Sequence, residues 1–145
     1  MNRKDWTLLT IVAADKRPLQ PVQLQKSLFL ISRNLPHRLL GPGRFYGFSP
    51  YDYGPFCSDV YADAEDLEVE GLVVIQRLPD SCVRLYQATE PGARRALALE
   101  RKLSPSAADY VKRVVAFTQS LSFNQLVRTI YKAYPDMRIN SVFQE

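Results

Sequence analysis

The chain has few of the residues that build disulfide frameworks, metal sites or nucleophilic active sites. Its 145 residues include only two cysteines, Cys57 and Cys82, and one histidine, His37. Two cysteines do not make a disulfide scaffold, and a structural zinc site would be short of nitrogen ligands. We therefore expect no metal and no cofactor, and a reduced protein of the cytoplasm.

Long apolar runs are also absent. No stretch approaches the roughly 20 apolar residues that span a bilayer. The N-terminal run TLLTIVAA follows Asp5 and Trp6 and precedes no clear cleavage site, which is not typical of a signal peptide. Basic residues are spread along the chain and not gathered on one helix. We expect no membrane contact.

Catalytic motifs are missing as well. The GPG at residues 41–43 lacks the following Lys and Ser/Thr of a phosphate-binding loop, and no HExxH, GxSxG or paired-carboxylate pattern occurs. Cys57 precedes a predicted helix, a position that can lower a thiol pKa, and His37 is the one base available to it. A buried structural cysteine is the simpler interpretation, so we expect a protein that is not an enzyme.

What the chain does have is an ordinary globular composition with a modest basic excess. It is 46% hydrophobic and 23% charged, with a formal net charge of +4. This length suits one domain, and the charge alone is a weak indication of nucleic-acid binding. We expect a single domain over residues 1–145: a core over 1–90 with a β-hairpin, or wing, over 73–88, and a helical extension over 90–145.

The first half of the chain predicts two helices and little sheet. Residues 5–14 form a short apolar helix candidate. A second helix begins at Pro21 and runs to about Asn34, with apolar residues on two sides, so it is the predicted centre of the core. Residues 35–43 are a loop by composition, and one short strand is expected near residues 45–48.

The second half predicts an acidic helix, a hairpin and further helices. Ser58 is a suitable N-cap for a helix over residues 58–72, which Gly71 would end. Two β-rich runs around Pro-Asp-Ser follow. Thr89 can cap the next helix, a further helix presents a Tyr110, Val114, Phe117 and Leu121 stripe, and Ser122 opens the last one. The predicted class is mainly α with a small β-hairpin (α+β), a winged helix-turn-helix-like core plus C-terminal helices.

Three segments carry a resemblance to a known family: PVQLQKSLFLI, FYGFSPYDYGPFCSDVYADAEDLEVEGLV and VRTIYKAYPDMRINSVF. The chain resembles bacterial winged-helix-like proteins of the YwgA type and, more distantly, the Panacea domains of SocA-like antitoxins. The matching elements are Leu24-Gln25-Lys26, Tyr53-Gly54-Pro55-Phe56, Val60-Tyr61, Leu67 and Gly71-Leu72. The resemblance implies a non-catalytic regulatory or adaptor module that binds another protein, as an antitoxin binds a toxin.

The acidic helix is the main sequence feature that bears on partners. At 100° per residue, one stripe of it holds Asp59, Asp63, Asp66 and Glu70. We expect this stripe to face outward, where a winged-helix protein would meet DNA, and carboxylates there would repel phosphate. Three interpretations stay open: a solvated helix face, a surface for a basic protein partner, and intramolecular pairing with arginines such as Arg94 and Arg95.

DNA remains the alternative partner. A transcription regulator of this fold would contact DNA through its wing and basic flanks. The candidate contacts are Lys16, Arg17, Arg77, Arg84, Arg94 and Arg95.

Two further expectations concern association. The aromatic run at residues 45–56 is interpreted mainly as core, although any exposed tyrosine in it would suit a protein interface. Amphipathic C-terminal helices of this kind often mediate dimerisation, so a homodimer is one expected assembly.

Overall fold

The computed structural model of the protein describes residues 1–144 and contains seven α-helices and two small sheets in that range. The helices are α1 (Arg3–Ala13), α2 (Pro21–Asn34), α3 (His37–Leu40), α4 (Ser58–Val69), α5 (Glu90–Glu100), α6 (Pro105–Ser120) and α7 (Phe123–Ala133). The strands are β1 (Ser49–Tyr51), β2 (Gly54–Phe56), β3 (Val73–Arg77) and β4 (Arg84–Ala88), and a 3₁₀ turn spans Pro135–Arg138. The predicted mainly α class with a small hairpin is confirmed.

Helix α2 is the centre of the core, as its two apolar sides predicted. Leu24, Leu28 and Ile31 are fully buried in the main cluster, which α1, α4, α5, α6 and β3–β4 complete. Phe29 points to the other side, where it packs with Leu126 of α7 and other apolar side chains. A helix covered on both sides is held in place by all its neighbours, so it can position polar groups accurately.

The turn from α4 into the following hairpin is set by Gly71. Its φ of +77° lies in the left-handed region that favours glycine. Leu72 N–H bonds to Leu67 O at 2.9 Å and Gly71 N–H to Glu68 O at 3.0 Å, which is a Schellman motif. β3 and β4 then pair antiparallel, with Val73 opposite Ala88. The hairpin is where the sequence predicts it; the winged-helix assignment itself stays a prediction.

Two local predictions about the first half were wrong. Residues 45–48 form no strand; the strands are β1 and β2, which pair antiparallel around Asp52 and Tyr53. The run at 45–48 is instead held by ring contacts, such as Phe48 edge-on to Phe29 at 5.6 Å. The predicted loop at residues 35–43 contains the one-turn helix α3.

The buried face of α6 also differs from the predicted stripe. Val114 of that stripe is buried but Phe117 is exposed, and Val111, Val115 and Thr118 outside the stripe are buried. Packing against α2 therefore covers one side of the predicted stripe and leaves the other side exposed. The hydroxyls of Ser27 and Thr118 lie 3.0 Å apart across that contact.

None of the helices built from residues 1–144 has the length and apolar character that crossing a membrane requires.

Candidate functional site

The acidic stripe of α4 does not face outward as a whole, so that prediction was wrong at Asp63. Asp63 is only 7% exposed. Its Oδ2 accepts a hydrogen bond of 2.6 Å from the Tyr46 hydroxyl, which lies 2.6 Å from Thr7 Oγ1. Burial and the bond to Asp63 raise the pKa of Tyr46 above its ordinary range. Asp63 is the stripe member nearest the buried Leu67, about 40° away on the helical wheel, so a slight rotation of α4 brings it inside.

The start of the chain neutralises most of the remaining stripe. Arg3 Nε lies 3.0 Å from Asp63 Oδ2, and its Nη1 lies 3.3 Å from Asp59 Oδ2. Lys4 Nζ lies 3.1 Å from Glu70 Oε1. Of the four carboxylates, only Asp66 makes no side-chain hydrogen bond or ion pair with residues 1–144. Intramolecular pairing occurs, but with Arg3 and Lys4, because α1 packs against α4.

Arg94 and Arg95 pair elsewhere. Arg94 Nη1 lies 3.0 Å from Glu90 Oε1 on the same helix, and Arg95 Nη2 lies 4.0 Å from Asp5 Oδ1. They therefore do not neutralise the stripe.

The basic residues of the hairpin are paired as well. Arg77 and Arg84 are cross-strand neighbours. Arg77 bonds to both carboxylate oxygens of Glu68, at 3.1 and 3.2 Å, and this contact lowers the pKa of Glu68. Arg84 lies 3.4 Å from Glu65. The wing arginines therefore face the outer acids of α4.

The remaining candidates for DNA contact lie in the loop before α2. Arg17 donates to the Gln119 carbonyl at 3.3 Å, and Lys16 is exposed. Four of the six candidates, Arg77, Arg84, Arg94 and Arg95, thus lie beside a carboxylate, and exposed ion pairs of this kind are weak.

The exposed members of the aromatic run surround one cavity. Tyr51 is 55% exposed and Tyr53 44%, while Tyr46 is buried. A cavity of about 310 Å³ lies between the start of α2, the β1–β2 hairpin, Tyr61 of α4 and Phe123 of α7. We call this cavity and its rim the aromatic groove. Tyr53 packs edge-on to Phe123 at 5.1 Å, and Tyr51 stacks on Phe56 at 5.0 Å.

A buried lysine lines the aromatic groove. Lys26 is 4% exposed, and its Nζ donates one hydrogen bond, of 3.3 Å, to the Pro55 carbonyl. No carboxylate oxygen of residues 1–144 lies within 4.0 Å of it. Burial lowers the pKa of Lys26 from its ordinary 10.5 to about 8. The groove thus contains an ammonium group that has no counter-charge within 4.0 Å among residues 1–144.

Few other titratable groups face the groove. The hairpin contributes the carboxyl of Asp52 and the hydroxyls of Tyr51 and Tyr53. α4 contributes Tyr61, whose pKa is raised by burial. Tyr131 of α7 lies under Gly54, beside Lys26. Lys26 is the cationic side chain among the lining residues.

The local sequence explains how Lys26 comes to this position. Gln25, the preceding residue, bonds to both backbone groups of Cys57. Its Nε2 donates to the Cys57 carbonyl at 2.9 Å, and its Oε1 accepts from the Cys57 N–H at 3.0 Å. That pair fixes α2 against the end of β2. Gly54 has a φ of +104°, and a Cβ there would lie 3.3 Å from Tyr131 and 3.7 Å from Lys26 Cε. Glycine therefore allows the hairpin to close over the lysine.

Sequence reasoning missed this site, although both of its halves were noted. The Leu24-Gln25-Lys26 and Tyr53-Gly54-Pro55-Phe56 segments, on which the family resemblance rests, meet here in space. The signal that could have revealed it is the position of Lys26 between the buried residues Leu24 and Leu28. Helical periodicity predicts that some residues of that turn face inward.

The remaining sequence candidates are Cys57 and the residue types that bind metals. Cys57 is buried, as the structural interpretation expects, and its backbone is held by Gln25. Over residues 1–144, no group of three or more His, Cys, Asp and Glu side chains is arranged to hold a metal ion.

No protein-family model matches this chain, and no curated protein is significantly similar to it. The resemblance to YwgA-type and Panacea proteins therefore stays a prediction.

Proposed function

We propose that the protein is a non-catalytic regulatory or adaptor module that binds a partner polypeptide in the aromatic groove. The observation that supports this most is the grouping of Tyr51, Tyr53 and Phe123, each between 41% and 55% exposed, around one cavity. Tyrosine and other large aromatic side chains provide most of the energy at protein interfaces, especially beside a pocket that excludes water. The occupant we infer is a segment with apolar side chains, because the groove is mostly apolar.

The groove replaces the acidic stripe as the leading partner surface. Asp63 is committed to Tyr46 and Arg3, and Asp59 and Glu70 have basic neighbours. Of the four stripe carboxylates, Asp66 alone has no cationic group within 4.0 Å among residues 1–144 and could offer its charge to a basic partner. An antitoxin-like role is compatible with either surface and rests on the resemblance alone.

The test begins with a photo-reactive amino acid placed at position 52, on the exposed rim of the groove, which marks the partner in cells, and an equivalent probe at position 132 as control. The cross-linked protein is identified, purified and titrated against variants. We expect Tyr51→Ala with Tyr53→Ala to weaken binding by about 30-fold or more, since two hot-spot truncations together cost at least about 2 kcal/mol. Asp66→Lys should change affinity by less than about threefold.

The opposite pattern, with Asp66→Lys abolishing binding and the tyrosine variants leaving it intact, would refute the groove and favour the acidic stripe.

DNA binding through the wing and basic flanks is less well supported. Arg77 and Arg84 would have to leave Glu68 and Glu65 before they could contact phosphate. A random duplex tested by fluorescence anisotropy discriminates the two functions. A DNA-binding protein would show affinity that falls steeply between 50 and 200 mM salt (about 10³-fold or more for six phosphate contacts).

A further inference from the structure

We propose that Lys26 makes the aromatic groove a receptor for a carboxylate, namely the C-terminal end of a partner polypeptide with an apolar last residue. This inference rests on the proposed function and names the chemistry of the group that enters the groove. The apolar side chain would fill the cavity, and the terminal carboxylate would bond to the Lys26 ammonium.

The ammonium group of Lys26 is incompletely hydrogen-bonded. An ammonium group has three N–H donors, and among residues 1–144 only the Pro55 carbonyl accepts from it. Buried charges in proteins are normally paired with a counter-charge or fully hydrogen-bonded. A carboxylate of a ligand would supply both the missing acceptors and the missing charge.

Holding β2 in place does not require a charge at position 26. The neighbouring cross-element bonds of α2 use neutral groups, since Gln25 bonds to Cys57 and Ser27 to Thr118. A neutral donor would serve the Pro55 carbonyl without the cost of burying an ammonium. The charge at position 26 is therefore better explained by a ligand than by the fold.

Two helix N-termini lie at the cavity and favour a negatively charged ligand. Pro21 and Val22, in the first turn of α2, line it, and so does Phe123, the first residue of α7. Helix N-termini carry partial positive charge, so both helices add to the potential of Lys26. The acid in the lining, Asp52, belongs to the exposed hairpin turn and makes no ion pair with Lys26.

The size of the cavity favours the C-terminal carboxylate of a partner over the side chain of an internal Asp or Glu. The cavity of about 310 Å³ is at the small end of ligand sites, which fits one or two residues and not a helix. An internal Asp or Glu would bring peptide groups in from both sides past apolar walls, where their hydrogen bonds would be unmet. A chain end brings one strand, and the exposed rings of Tyr51 and Tyr53 are placed to contact the residues leading in.

The experiment uses short peptides of the form acetyl-Gly-Ser-Gly-Ser-X, with X as Phe, Leu or Val, each prepared as the free acid and as the amide. Binding to the full chain at pH 7 is followed by NMR. We expect at least one free acid to bind at least tenfold more tightly than its amide. Lys26→Met and Lys26→Gln should abolish that difference, while Tyr53→Ala should weaken acid and amide alike.

A second readout reports on the ammonium directly. With ¹³C-labelled lysine, the free acid should move the titration of the Lys26 side chain upward by at least one pH unit, and the amide should not. This measurement uses the unaltered protein, so it decides the question even if a Lys26 variant fails to fold.

The outcomes separate the two proposals. Equal affinity for acid and amide, with no change in the Lys26 titration, would overturn the carboxylate inference and leave the aromatic groove as a partner site. N-acetylphenylalanine binding as tightly as the peptides would also overturn it, because the ligand would then be a small free acid. Partner binding that Tyr51→Ala and Tyr53→Ala leave unchanged would instead rule out the groove itself as the partner site.

Discussion

The substitution Lys26→Met should stabilise the protein near neutral pH. Methionine matches the length of the lysine stem and removes the buried charge. Burial lowers the pKa of Lys26 from 10.5 to about 8, a difference of about 2.5 units. At about 1.4 kcal/mol per unit, the ammonium costs the folded state about 3 kcal/mol at pH 7. Loss of the bond to the Pro55 carbonyl offsets about 1 kcal/mol, so the net gain is about 2 kcal/mol.

The stabilisation by Lys26→Met should decrease as pH rises, and this direction is what the assay tests. The folded protein releases the Lys26 proton at a lower pH than the unfolded chain does, so the unfolded state binds more protons between pH 8 and 10.5. The cost is fully present below pH 8 and disappears as pH rises through that window. Urea unfolding of both proteins at pH 6 to 10.5 should show the advantage of the Met variant falling from about 2 kcal/mol to zero or below.

A matched control is the same change at an exposed position. Lys132→Met on α7 should alter the free energy of unfolding by less than about 0.5 kcal/mol at pH 7. Taking the difference between variant and parent cancels the titration of the other lysines and tyrosines. If Lys26→Met destabilises the protein at pH 7, or if its effect is flat from pH 6 to 10.5, the ammonium is not buried and unpaired, and the reasoning fails.

Three further expectations follow from the same contacts. Binding of the free-acid peptides should weaken above pH 8, by up to tenfold per pH unit, because Lys26 loses its proton. Titration calorimetry at pH 7, 8 and 9 would measure the affinity, and an affinity that does not change with pH would contradict this expectation. Asp63→Ala should lower the free energy of unfolding in urea by about 2 kcal/mol or more, because the Tyr46 hydroxyl loses its buried acceptor. Asp66→Ala should change it by less than about 0.5 kcal/mol, and equal effects of the two variants would refute the inward orientation of Asp63. Gly71→Ala should lower the free energy of unfolding by about 1 kcal/mol. The positive φ is the sole cause, because a Cβ at this position would meet no neighbouring atom. Unchanged thermal unfolding would contradict this expectation.

The elements that sequence predicted well are those with strong local signals. The start of α2 at Pro21, the Gly71 turn and the Ser122 capping box with Gln125 each depend on residues within one turn of each other. The wing strands follow from β-rich runs on either side of a short turn. Such signals need no knowledge of distant contacts.

The errors arose where two local interpretations were equally good. Asp63 lies at the edge of an acidic stripe, and only the position of Arg3 and Tyr46 turns it inward. The predicted stripe of α6 is divided in the same way, with Val114 buried and Phe117 exposed, because α1 and α2 cover only one side of that helix. Sequence spacing cannot rank these choices because the deciding partner lies far away in the chain.

By itself, the sequence determined the mainly α class, the hairpin after the acidic helix and the scarcity of groups for metal or nucleophilic chemistry. Those properties depend on composition and on neighbours a few residues apart. The tertiary structure alone decided that the acidic helix is largely neutralised and that Lys26 lies beneath exposed tyrosines, with no carboxylate of the described part of the chain beside it. Charge pairing and burial depend on distances in space, and Lys26 and Pro55, 29 residues apart in sequence, become neighbours only when α2 packs against β2.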